Sequence, residues 1–210
     1  MTHVLRALLG GALLALAMAM PGSAQEALSR LPRISDQSAD PALKPMFDET
    51  RARGGQVLNL HLAEAHAPKL AKPRRDLGNA IRFETVLPPV LREMAVLRIA
   101  SILESDYDRV LHTPLAKACG MTDAQIEAVP VWQGNDLFDA KAQAMLAYVE
   151  AVILSGGEVD DDIFKELAKH FKPQEIVEIS LIVAHHFANG IVSRALKVKL
   201  DAPPAAPAKC

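Results

Sequence analysis

From Pro41 to about Leu200 the apolar positions recur three and four residues apart, and stretches of strict alternation are missing. This spacing predicts an all-α chain. Leu58 to Phe83 carries it with Pro68 and Pro73 as interruptions, so a series of short consecutive helices is expected there. Pro88-Pro89 stands where a helix can begin, because the first turn has no use for the missing N–H. From Leu91 to Leu103 the apolar residues surround the helix, which predicts a buried element. A further helix is expected up to Cys119, with Gly120 as its stop. Thr122-x-x-Gln125 then reads as a capping box.

Asp136 to Leu154 reads as an amphipathic helix closed by Gly156-Gly157. Asp160-Asp161-Asp162 reads as the cap of the next helix, whose dipole it complements, rather than as a cation cluster. The final helix is expected from Pro173 to Val198. Glu175, Glu178, His185, His186 and Arg194 interrupt it, so length and charge together argue against a membrane span.

The ends differ in composition. Arg6, the apolar run Ala7 to Met20 and Pro21-Gly22-Ser23-Ala24 have the layout of a secretory signal over residues 1–24. Export to the periplasm or outside the cell is the corresponding expectation. Residues 25–40 read as an extended leader, 41–200 as one helical domain and 201–210 as a disordered Ala/Pro tail. A net charge of −2 is too mild to point to nucleic acid or an anionic membrane as partner. Aromatic residues make up only 4%, so the core must be aliphatic. The two cysteines, Cys119 and Cys210, lack the close spacing of a thiol redox pair. A bridge between them, a bridge between chains and two free thiols all remain open.

Within the buried helix Glu93 shares a face with Leu97 and Ala100. A carboxylate on an apolar stripe is costly unless paired. Ser105, Asp108 and His112 follow at i, i+3 and i+7 and share a helical face, with Tyr107 beside them and Arg98 and Arg109 near in sequence. If these helices pack as a hairpin, a carboxylate and an imidazole meet inside the domain. The plain structural reading makes Glu93 an ion-pair partner of an arginine and His112 a satisfied core histidine. His185-His186 and His61 with His66 lack the spacing of helical ligand pairs, so neither a metal nor another cofactor is expected. His170 and His186 are expected to be structural or surface residues.

The run Leu91-Arg-Glu-Met-Ala-Val-Leu-Arg-Ile-Ala100, then Ser105-Asp-Tyr-Asp108 and His112, resembles the core of the carboxymuconolactone decarboxylase and alkylhydroperoxidase D-like family. Val57-Leu-Asn-Leu-His61, Ala65-His-Ala-Pro68, Ala118-Cys-Gly-Met-Thr-Asp-Ala-Gln-Ile126 and Ala188-Asn189-Gly-Ile191 extend the likeness over about Pro41 to Leu200. The resemblance implies a compact helical domain that forms a homo-oligomer, a trimer or a hexamer. In the family's peroxidase branch a glutamate precedes a Cys-x-x-Cys pair, and a histidine follows it. Glu93 and His112 hold those outer positions, but Ser105 and Asp108 stand where the cysteines belong. Neither side chain can form a disulfide, so a peroxidatic cycle at this motif is not expected.

The decarboxylase branch has a pattern similar to Tyr-Glu-Trp-x-x-His, which stands here as Tyr107-Asp108-Arg109-Val110-Leu111-His112. That likeness implies cofactor-free acid–base chemistry on a small carboxylated or lactone substrate. His112, Glu93, Tyr107 and Asp108 are then the catalytic candidates, and Arg98, Arg109 and Ser105 the substrate-binding ones. Two rival classes stay open: a thiol-dependent peroxidase of the same fold, and a non-catalytic binding or assembly protein that has lost the site. A polar, reachable pocket around Glu93 and His112 favours an enzyme; a sealed pair held by Arg98 favours the last.

Overall fold

The computed structural model describes residues 29–32, 34–35, 40–202 and 210. The expected signal segment lies outside the described residues, as do most of the leader and residues 203–209 of the tail. Among the described residues there is no strand, and 3-10 turns at Pro41–Leu43 and Val129–Val131 accompany the α-helices. These are α1 (Lys44–Ala52), α2 (Asn59–Glu64), α3 (Pro68–Phe83), α4 (Pro89–Ile102), α5 (Asp106–Ala118), α6 (Asp123–Ala128), α7 (Ala140–Leu154), α8 (Asp161–His170) and α9 (Pro173–Ala195).

Helix α4 organises the rest. Every residue from Leu91 to Ala100 is buried, because α5, α7 and α9 pack around it on different sides. Its aliphatic residues join Met145, Leu146 and Val149 of α7 and Ile179, Ile182 and Val183 of α9 in the main core. A smaller cluster of Leu43, Met46, Phe47, Ala65 and Ala71 lies under the N-terminal elements.

The helix boundaries follow local chemistry, with differences from the sequence expectation at Pro73, at the start and faces of α7, and at the end of α9. Helix α9 stops at Ala195, where Lys197 turns left-handed (φ 51°) and the Val198 N–H returns to the Ser193 carbonyl. Pro73 does not end a helix but sits inside α3. It forgoes one backbone hydrogen bond, and packing against α2 and α9 holds the helix on both sides of it. Helix α7 starts at Ala140 rather than near Asp136, because the Asp139 carboxylate accepts from the Ala142 N–H at 2.8 Å and caps it there. Nor is α7 strongly amphipathic, since Ala142, Ala144, Met145, Leu146, Tyr148 and Val149 are all buried.

Asp160 caps α8 through the Asp162 N–H, as the capping reading of the three aspartates requires. By length and composition alone α9 is apolar enough to cross a bilayer, contrary to the expectation from its charges. It packs instead against α3, α4, α5, α7 and α8.

The α4–α5 turn sets the geometry of the site. The Ser105 N–H reaches back to the Ala100 carbonyl at 2.9 Å and the Glu104 N–H to that of Ser101. Glu104 takes the left-handed conformation, φ 51°, that this closing motif requires. Ser105 then caps α5 by accepting from the Asp108 N–H. One chain reversal therefore fixes where Asp108 and His112 meet α4.

Candidate active site between helices α4, α5 and α9

Glu93 is 2% exposed and has two partners. Arg92 donates to Oε1 at 3.1 Å, and His112 Nδ1 lies 2.8 Å from Oε2. Burial works to raise the carboxyl pKa of Glu93, but the bonds and charges of His112 and Arg92 outweigh it and hold the group below its ordinary range. Glu93 is thus a carboxylate that fixes one nitrogen of the His112 ring. The Arg92 guanidinium also donates to the Arg82 carbonyl at 3.0 Å, which ties the pair to the end of α3.

Asp108 is buried one turn before His112 on α5. The Ser105 hydroxyl donates to its Oδ2 at 2.6 Å. Burial pushes the Asp108 carboxyl up, against the opposing effects of Ser105 and His112. On the other side His186 of α9 meets His112 edge to face, with ring centres 5.0 Å apart, and His185 continues the row at 5.1 Å from His186. Burial, followed by the neighbouring His112, keeps His186 well below the usual imidazole range.

Helix α9 approaches closely at Gly190. A Cβ there would stand 2.7 Å from Leu103 Cδ1 and 3.4 Å from Asp108 Oδ2. The same glycine lines an open cleft of about 450 Å³ with Leu103, Ile191, Arg194 and Ala195, so Asp108 lies directly beneath the cleft wall.

Of the residues selected from sequence, Glu93, Asp108 and His112 come together. Four others have different duties. Ser105 spends its hydroxyl on capping α5 and on Asp108. The Tyr107 hydroxyl donates to Asp201 and accepts from the Leu60 N–H, tying α2 to the start of the tail. Arg98 does not reach Glu93; it donates to the Pro130 carbonyl and pairs with Glu150 at 2.8 Å. Arg109 is exposed and pairs with Asp106 at 2.7 Å, because its position on α5 points outward.

Arg92, His185 and His186 were not selected. Their signal was faint: Arg92 adjoins the buried acid, and the tandem histidines occur in an otherwise apolar stretch. His186 is buried, the first of the two places expected for it. Cys119 and Cys210 form a disulfide, so the tail is anchored at its end.

A second polar group lies under α2, α3 and α9. His61 receives the Leu58 N–H at Nδ1 and faces the Arg75 guanidinium with Nε2, each at 3.2 Å. A neutral imidazole has one lone pair for these two donors, and a protonated one has none. Burial, then Arg75, His185 and Arg74, accordingly push His61 down to about 3. Nearby, Arg74 pairs with Glu64 at 2.9 Å and donates to Asn189 at 2.7 Å.

Two expectations follow. Replacing Glu93 by Ala leaves Arg92 as a buried charge without its carboxylate, which costs roughly 3–5 kcal/mol. Urea denaturation should show this loss, and an unchanged midpoint would place Glu93 in solvent. The second concerns acid. Below an ordinary value of 6.5 the unfolded His61 ring takes up a proton that the folded ring refuses until about 3. Stability contributed by His61 therefore falls with pH in that window, by at most about 1.4 kcal/mol per unit. The stability difference between wild type and His61→Gln should narrow from pH 7 to pH 5; a constant difference contradicts the buried neutral ring.

Residues 68–151, which include α4 and α5, match the Carboxymuconolactone decarboxylase family. The protein YnjA of Escherichia coli (strain K12), itself uncharacterized, is 28% identical over 103 residues, 49% of this chain and 56% of YnjA. The chain thus spans little more than half the length of that relative. Among solved structures, an alkylhydroperoxidase AhpD core from Ralstonia eutropha JMP134, an uncharacterized peroxidase-related protein, superposes with a TM-score of 0.74 at 20% identity, over 86% of this chain and 98% of that one. A peroxidase-related protein from Silicibacter sp. TM1040 gives 0.73 at 18% identity, over 89% and 99%. A variant of the debrominase Bmp8 in complex with 2,3,4-tribromopyrrole gives 0.71 at 22%, over 82% and 91%. At these identities the likeness speaks for the fold alone. Residues 68–151, which hold Glu93, Asp108 and His112, match the carboxymuconolactone decarboxylase family, and the chain has the AhpD-like fold.

Proposed function

We propose that the protein is an exported acid–base catalyst acting on a small carboxylated or lactone substrate, with His112 as its proton-transfer group. The observation that carries this reading is the 2.8 Å contact between His112 Nδ1 and the Glu93 carboxylate. It commits one ring nitrogen and leaves the other to exchange a proton with a bound molecule. Asp108, raised by burial and one helical turn away, is a second group able to hold a proton. In a decarboxylation the C–C bond to the carboxylate breaks, CO₂ leaves, and the electron pair passes into the adjacent carbonyl. The protonated His112 then delivers its proton to carbon while Glu93 stabilises the imidazolium.

The substrate-binding cation needs reassignment, since Arg98 and Arg109 are engaged elsewhere. Arg194 supports the role best. It lines the cleft together with Gly190, whose backbone stands against Asp108, and donates to the Leu103 carbonyl. A guanidinium at that place can take a substrate carboxylate through its remaining N–H groups.

Thiol chemistry has less support. Ser105 and Asp108 occupy the motif, and Cys119 lies seven residues beyond His112, about 10 Å along α5. Its partner Cys210 is 91 residues away in sequence.

We also read the protein as a homo-oligomer, a trimer or a hexamer. Val177, Leu181, Ala184 and Ile191 are exposed along α9 with Ala188 half-buried between them, at alternating spacings of four and three. That apolar stripe is the pattern of a helix seam awaiting a second copy. It ends at the cleft, because Ile191 belongs to both.

Two measurements test these readings. His112→Gln keeps polarity and nearly the volume, so it should preserve the fold while lowering turnover of lactone or keto acids by about 10²–10⁴-fold. His170→Gln, at a half-buried residue beside Glu166, should leave turnover unchanged. Wild-type turnover by His112→Gln would transfer the role elsewhere and favour a binding protein. Leu181→Glu should convert the oligomer to monomer in light scattering; a wild type that is monomeric at micromolar concentration refutes the seam.

A further inference from the structure

Asp108, His112 and His186 each place one donor atom so that all three lie within 4.8 Å of one another, and all three residues are buried. Asp108 and His112 are four apart on α5, so their side chains rise from one helical face, and α9 supplies the third donor. The donors are already oriented from behind. Ser105 donates to Asp108 at 2.6 Å, and Glu93 holds Nδ1 of His112 at 2.8 Å. A carboxylate behind a ligating imidazole is the usual outer support of a metal site, since it fixes the ring and leaves the second nitrogen to coordinate. One more observation points to a missing ligand: Nδ1 of His186 is buried without a hydrogen-bond partner, in a residue only 7% exposed. A buried polar atom left unsatisfied is costly and calls for an explanation.

We infer that Asp108, His112 and His186 form a binding site for a divalent transition ion of the zinc or cobalt type. Two imidazoles and one carboxylate suit such ions and not magnesium or calcium, which prefer all-oxygen shells. Zinc bonds of about 2.0–2.1 Å put tetrahedral donors about 3.4 Å apart, so the three side chains must draw in by about an ångström. Gly190 lines the neighbouring cleft, and a Cβ on it would stand 3.4 Å from Asp108 Oδ2, so the three donors lie close behind the cleft wall.

The binding site itself is independent of the acid–base reading; its regulatory consequence rests on that reading. An ion on the second nitrogen of His112 occupies the lone pair that proton transfer needs. The metal-loaded protein is therefore the inhibited form, and metal binding is a regulatory function of this pocket. The helical ligand pair here is Asp108 with His112, four apart on α5, a spacing that the histidine pairs of the chain lack.

The test uses the full chain, stripped with a chelator and titrated with Co²⁺ in the absence of substrate. Wild type should develop saturable visible d–d absorption that Zn²⁺ displaces. Asp108→Asn and His186→Gln should each abolish it, His170→Gln should retain it, and Glu93→Gln should weaken binding by about 10–100-fold. Helical circular dichroism checks the fold of each variant. Should the variants unfold, the imidazole ¹⁵N resonances of wild type decide: Zn²⁺ must shift those of His112 and His186 together. Folded wild type without cobalt absorption, absorption that survives in both folded ligand variants, or Zn²⁺ that leaves both resonances unmoved overturns the site. A negative result here leaves the acid–base reading standing, because turnover by His112→Gln is measured without metal.

Discussion

One buried carboxylate governs how this domain is put together. Glu93 sits in a helix enclosed on several sides by α5, α7 and α9, where an unpaired charge would be prohibitive. Its neighbour Arg92 satisfies one oxygen, and only a group from another helix can satisfy the second. His112 does so, and this fixes the rotation of α5 about its own axis. With that rotation set, Asp108 must turn inward one helical turn earlier and Arg109 must turn outward. The capping of α5 by Ser105 and the left-handed Glu104 follow from the same requirement, because the reversal between α4 and α5 has to deliver His112 at the depth of Glu93.

Helix α9 completes the pocket through the absence of a side chain. At Gly190 the backbone stands so near Leu103 and Asp108 that a Cβ would lie 2.7 Å from Leu103 Cδ1 and make the Leu103 side chain shift. The approach brings His186 against His112 and places His185 toward α3, where Arg74 and Arg75 lie. His185 is driven down to about 4 by burial first, then by Arg74, His112 and Arg75. A row of imidazoles thus links the carboxylate in α4 to the basic group under α2 and α3. Burial and the neighbouring positive charges keep His61, His185 and His186 uncharged near neutral pH. Lone pairs rather than charges face the interior, which suits both proton exchange and metal coordination.

Asp201 and Cys210 tie into this arrangement from the C-terminal side. Asp201 accepts from the Asn59 N–H at 2.7 Å and from the Tyr107 hydroxyl, so α2 and α5 are joined through one carboxylate. Burial raises the Asp201 carboxyl, opposed by those two bonds. Cys210 is bridged to Cys119 at the end of α5. The sulfur chemistry of the chain is therefore at the far end of the helix that carries His112.

Local chemistry is enough to read most of the helices from the sequence. Pro89, Thr122, Asp160 and Gly120 mark helix ends through the backbone groups they supply or withhold, and the apolar circumference of α4 announces its burial. The pairing of Glu93 with His112 was legible too, since an acid in an apolar helix must find a partner and the family pattern indicates which. Helix continuity through Pro73 was not, because packing on both sides of a proline has no local trace. Nor were the partners of Arg98, Tyr107 and Asp201, or the meeting of His186 with His112. Those contacts join residues from about 30 to 140 positions apart in the chain, and helix crossing sets their approach. The sequence by itself determined which residues had to be buried and which buried charges needed a partner. Only the tertiary structure decided which partner each received, because that choice depends on the rotation and separation of helices that share no local signal.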